Sequence, residues 1–140
     1  MNTTTETTAL SALAVYLECE ADDLTESSYQ NGLFEYGNQE YLCLTDSEAD
    51  EAVKEYIRES VWAFNASFLA CMTGLDEEMF AFASEKCEGA NDAILRTIEQ
   101  TCGLNEFVES AVSADSRGHF LSGYDGEEND SGDYYIYRVN

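Results

Sequence analysis

Arg117, His119, Tyr124 and Asp125 fall close together near the C-terminal end of the sequence, and His119 is the sole histidine of the chain. These are residue types from which general acid–base catalysis is built. A histidine base, however, needs an orienting carboxylate and a nucleophile or substrate within hydrogen-bond reach, and no such geometry follows from this spacing. The run His119–Ser122 reads as a strand, which would place Arg117 and His119 on one face and Phe120 on the other. On that reading His119 is an incidental strand residue, and no catalytic residue is assigned.

The stretch "DGEENDSGD", from Asp125 to Asp133, offers oxygen ligands at the density of a calcium loop. Counting from Asp125, Glu127 and Asn129 fit the early positions of an EF-hand. Asp130 then stands where glycine makes the sharp turn, and Ile136 where the bidentate glutamate belongs. The template fails at its two strictest positions, so neither a metal site nor a cofactor is assigned. The five cysteines (Cys19, Cys43, Cys71, Cys87 and Cys102) contain no C-x-x-C pair. They fit neither a zinc site nor a disulfide framework, and their mostly apolar neighbours suggest buried thiols in a reducing cytoplasm. Phosphate-loop, nucleophile-elbow, zincin and dinucleotide fingerprints are missing from the sequence.

Charge is the stronger signal. The chain of 140 residues has 29 Asp+Glu against 6 Lys+Arg, a formal net charge of -23. Its hydrophobic content of 44% is that of a folded protein, so the acidity is not a mark of disorder. Such a surface attracts cations and basic partners, and it disfavours nucleic acid and anionic membranes. Glu48, Glu51, Glu55 and Glu59 recur at helical spacing and form one stripe. Asp76, Glu77 and Glu78 gather at a helix start, where the helix dipole favours them. Asp125, Glu127, Glu128, Asp130 and Asp133 add a third group. Tyr124, Tyr134 and Tyr135 are candidate aromatic anchors beside it. Adaptation to high salt would also give an acidic, lysine-poor chain, although the cysteines and large aromatics suit that less well.

These groups need elements to position them. Leu10, Leu13, Ala14 and Leu17 predict an amphipathic helix over about Thr5–Cys19. Gly37-Asn38 joins two β-prone runs as a two-residue hairpin, setting Glu35 opposite Glu40. Thr45-x-x-Glu48 is a capping box opening a helix whose core stripe is Val53, Ile57, Val61 and Phe64. Asn65 and Asp76 cap two further short helices, with Gly74 between them and Leu75 placed to staple against Phe80. Two more helices follow, the first stopped by Gly103. Strands at His119–Ser122 and Tyr134–Val139 complete a single α+β domain, with a small antiparallel sheet and about five to six helices. The N-terminus lacks a basic region and a long apolar run, so neither a signal peptide nor a membrane span is expected.

The blocks "VWAFNASFL", "RGHFLSGYDGEEN…YYIYRVN" and "EYLCLTDSEADE" resemble small acidic proteins encoded by phages and mobile elements. By composition the chain is also similar to antirestriction and anti-CRISPR proteins that imitate DNA. The resemblance implies a phage accessory role in the bacterial cytoplasm and supplies no catalytic residues. The expected function is therefore a non-enzymatic inhibitor whose acidic surface occupies the basic nucleic-acid groove of a host defence complex. The expected partner is such a basic protein, with neither nucleic acid nor membrane bound directly, and the exposed strand edges would allow a homodimer. The competing readings are an acidic interaction module of another role, and a small His119- or cation-dependent enzyme.

Overall fold

The computed structural model describes residues 8–28 and 30–140. Among them the chain forms seven α-helices and a five-stranded antiparallel sheet, an α+β architecture. These elements belong to two compact units, one made of Met1–Ala52 with Arg117–Asn140 and the other of Val53–Ser116.

The first unit opens with α1 (Ala9–Leu17), capped by Thr8. The Thr8 hydroxyl accepts from the Ser11 backbone N–H at 3.2 Å while the Ser11 hydroxyl accepts from the Thr8 N–H at 3.0 Å. The expected start at Thr5 lies outside the described residues. Strands β1 (Thr25–Glu26), β2 (Leu33–Tyr36), β3 (Gln39–Thr45), β4 (Asn129–Ser131) and β5 (Tyr134–Arg138) form one sheet in the order β1-β2-β3-β5-β4. The β2–β3 hairpin has the register that its turn requires, Tyr36 opposite Gln39 and Phe34 opposite Tyr41, with Gly37 at φ +60°. It does set Glu35 opposite Glu40. Glu40 accepts a hydrogen bond from the Asn140 side-chain amide at 3.1 Å, which offsets part of the repulsion.

Both faces of the sheet are covered, which is why β3 reads as an unbroken apolar run, Tyr41-Leu42-Cys43-Leu44, rather than an alternation. Phe34, Tyr41, Cys43 and Ile136 pack with Ala12 and Leu13 of α1. Leu33, Leu42, Leu44 and Tyr137 point the other way and pack with Ala49, Ala52 and Leu121. Burial, with a smaller contribution from Glu48, pushes the Cys43 thiol up to about 12, so it stays protonated. It donates to the Ala9 carbonyl at 3.4 Å.

The segment expected as a strand at His119–Ser122 is helical: α7 runs Arg117–Leu121. Its place beside β5 is taken by Asn129–Ser131, which pairs as β4 although Asn, Asp and Ser are poor strand formers. The stretch from Asp125 to Asp133 thus contributes one strand and the turn of a hairpin. In that hairpin Asn129 lies opposite Ile136, two residues that the calcium-loop template would have placed around one ion.

The second unit is helical. Helix α2 (Asp46–Ser60) supplies residues to both units; α3 (Ala66–Thr73), α4 (Glu77–Ser84), α5 (Asn91–Gln100) and α6 (Leu104–Asp115) follow. Val53, Ile57, Val61, Leu69, Phe80, Ile94, Ile98 and Phe107 are buried. Phe64, half-buried, stacks at 5.8 Å on Phe68, and both rings meet Phe107 at 5.1 and 5.3 Å. Asn65 caps α3 by accepting from the Ser67 N–H at 2.9 Å, and Gly74 ends it at φ +77°. Asn91 ties the end of α2 to the start of α5, donating to the Arg58 carbonyl at 2.9 Å and accepting from the Trp62 N–H at 3.2 Å. Leu75, expected to staple against the buried Phe80, is 41% exposed.

The reading of the cysteines as mainly buried thiols also needs correction. Cys43 is buried, Cys19 and Cys102 are half-buried, and Cys71 and Cys87 are exposed. Apolar neighbours in the sequence did not settle burial, because Cys71 sits on the outward side of a short helix. Cys87 sits at φ +52° beside the end of α4.

Candidate functional site

Helix α2 starts at a reciprocal cap, with the Thr45 N–H donating to Glu48 Oε1 at 2.9 Å and the Glu48 N–H to Thr45 Oγ1 at 3.3 Å. From there Ala49, Val53 and Ile57 turn inward and are buried. At about 100° per residue, Glu48, Glu51, Glu55 and Glu59 fall within an arc of about 80° on the side opposite Val53 and Ile57. All four are exposed. Successive members are separated by about 4.5–6 Å of axial rise. Arg58 approaches Glu55 at 3.9 Å, both side chains more than half exposed, a pair too solvated to neutralise the stripe.

Asp46 and Asp50 belong to the same helix but not to the stripe. They turn toward Arg117, the first residue of α7, whose Nη1 lies 3.0 Å from each carboxylate and 3.2 Å from the Asp46 carbonyl. Arg117 Nε donates to Glu128 Oε1 at 2.8 Å, and Glu128 also accepts from the Tyr137 hydroxyl. The guanidinium rests 4.8 Å from the centre of the Tyr135 ring, and its side chain is only 11% exposed. Burial opposes the charge of Arg117, but the hydrogen bonds it donates to Glu128 and Asp46 and the nearby negative charge outweigh it and hold the cation. Burial and the Glu128 contact keep the Tyr137 hydroxyl protonated. This cluster joins the start of α2, α7, the segment before β4 and the sheet.

The acidic residues near the C-terminus therefore divide by task. Glu128 is tied into the Arg117 cluster. Asp125 accepts from the Glu127 N–H at 3.0 Å and from the Ser122 hydroxyl at 2.8 Å. Those two donors hold its carboxyl below the usual carboxylate range. Glu127, Asp130 and Asp133 are exposed, as are Asp76, Glu77 and Glu78 at the start of α4. Asp76 is the cap of α4, accepting from the Glu78 N–H at 2.8 Å.

The aromatic candidates separate likewise. Tyr134 and Tyr135 are half-buried in β5. Tyr124 is 57% exposed, its ring 3.5 Å beneath the Arg138 guanidinium. His119 is exposed on α7 with its ring edge-on to Phe120, and among the described residues no carboxylate orients it. Among those residues no group of three or more His, Cys, Asp or Glu is arranged around a common metal position.

Two features escaped sequence reasoning. The Arg117 cluster joins residues roughly seventy positions apart, and no local pattern reports such a pairing. The exposed apolar residues of α4, Met79 and Phe82, sit in a short run in which nearly every residue is apolar, so its inner and outer sides could not be told apart. No protein-family model, curated protein or solved structure matches the chain. No described helix is long and apolar enough to cross a membrane.

Proposed function

We propose that this protein is a non-enzymatic inhibitor that acts in the bacterial cytoplasm on behalf of a phage or mobile element. It places the acidic face of α2 in the basic nucleic-acid groove of a host defence complex of CRISPR or restriction type. The observation that carries the reading is the disposition of charge. Every described Asp and Glu is exposed except the half-buried Glu40, while the best-paired base, Arg117, is spent inside the fold. The negative charge of the described residues is therefore surface charge. Along α2 it is ordered: a rod of four carboxylates about 16 Å long, with the spacing of each step comparable to that of phosphates, which follow one another at about 3.4 Å of axial rise per strand. A cleft built to hold a row of phosphates can take such a rod, releasing bound counterions as it would with DNA.

Purified CRISPR and restriction complexes loaded with fluorescent duplex DNA provide the test. The protein displaces DNA from the groove of its target, and displacement weakens steeply as salt rises. Single alanine substitutions along α2 have small effects, since the attraction is spread over many charges. Failure to displace DNA from any of these complexes, or displacement indifferent to salt, contradicts the reading.

A further inference from the structure

We infer that the outer side of α4 is a second contact, an apolar anchor within an acidic rim that docks a basic amphipathic helix of the partner. Phe82 is 70% exposed and Met79 48% on α4, and Leu75, just before the cap of that helix, is 41% exposed, a concentration of large apolar side chains in one surface segment. Met79 and Phe82 are three residues apart and so stand on adjacent turns of one side, while Phe80 turns inward and is buried. Glu78 lies four residues before Phe82 and Glu85 three residues after it, so carboxylates border the ring along the helix. Both are exposed, and the exposed Lys86 follows Glu85 in sequence.

Charge complementarity selects the occupant. A second copy of this chain would bring its own carboxylates against Glu78 and Glu85, and a purely apolar segment would desolvate them without partners. A helix with apolar residues on successive turns, flanked by Lys or Arg, covers Phe82 and Met79 and pairs the rim. The inference deepens the inhibitor reading and rests on it for the positive charge of the partner. It adds a contribution that salt does not screen, because burial of Phe82 and Met79 is apolar.

A synthetic helical peptide of leucine and lysine, with leucine at every third and fourth position, is the probe. Its affinity for the full chain is measured by fluorescence anisotropy at low and high salt. Phe82→Ser and Met79→Ser change exposed positions and leave net charge unaltered. Each should weaken binding about tenfold or more at high salt. Val15→Ser, at an apolar position 73% exposed on α1, should leave it unchanged. Equal binding by the Phe82→Ser, Val15→Ser and native chains overturns the inference. So does binding that disappears with the charge reversals Glu51→Lys, Glu55→Lys and Glu59→Lys but ignores Phe82→Ser; that result leaves the inhibitor reading standing. Phe82-dependent peptide binding by a protein that never displaces DNA supports the α4 contact and counts against the groove-blocking role.

Discussion

Arg117 shows how this chain uses a scarce base. Three carboxylates and a ring converge on one guanidinium that is nearly buried, so its removal exposes the asymmetry between making and breaking such a contact. Asp46 and Asp50 remain about two-thirds exposed and lose little when unpaired; Glu128, at 31%, loses more. Arg117→Met should therefore cost about 1–3 kcal/mol of unfolding free energy, read from urea denaturation. Arg117→Lys should recover only part of it, because an ammonium cannot reproduce the fork of Nε and Nη1. Asp125 supplies the pH-dependent counterpart. Its carboxyl is held below its unfolded value, so its contribution is present above the unfolded pKa and is lost as pH falls through the folded one. Asp125→Asn should be less stable than the native chain at neutral pH, and the gap should narrow as pH falls from neutral through the carboxylate range. A gap of constant size across that interval would show that the Asp125 carboxylate is not the cause.

At the scale of elements, α7 depends on a close approach. A Cβ on Gly118 would lie 2.5 Å from the Gly126 carbonyl oxygen and 2.9 Å from the Glu128 nitrogen, backbone atoms that cannot swing aside. Gly118→Ala should destabilise the first unit by about 1–3 kcal/mol. It should also loosen the Arg117–Glu128 contact, visible as faster amide exchange in residues 126–131. Gly37→Ala, where φ is positive but no atom lies within 4 Å, should cost about 1 kcal/mol through backbone strain alone. The same contrast explains what the sequence made legible. The hairpin register, the Thr45–Glu48 box and the Asn65 and Asp76 caps obey rules acting over a few residues, and they could be read directly. "RGHFL" could not. It is too short to show a period, and its helical state goes with contacts to Asp46, Asp50 and the 126–128 backbone. The strand character of Asn129–Ser131 likewise comes from pairing with β5 rather than from its own composition. The α2 stripe was legible because a 15-residue helix fixes its own faces, whereas the outward side of α4 was not.

For the whole molecule, the central question is whether position or mere quantity of charge matters. If the groove recognises the α2 rod, charges there are worth more than equal charges elsewhere; if acidity serves only solubility or salt tolerance, they are interchangeable. Two triple variants separate these cases. Glu51, Glu55 and Glu59 are reversed to lysine in one, and Glu99, Glu106 and Glu109, exposed on α5 and α6, in the other. Both change the net charge by the same amount, and circular dichroism establishes that each is folded. DNA displacement from the target groove is then titrated with the native chain and both variants at one salt concentration. Recognition of the α2 rod requires that the α2 reversal abolish displacement while the α5–α6 reversal weakens it only modestly. Equal losses in the two variants, or an α2 reversal as potent as the native chain, would contradict it.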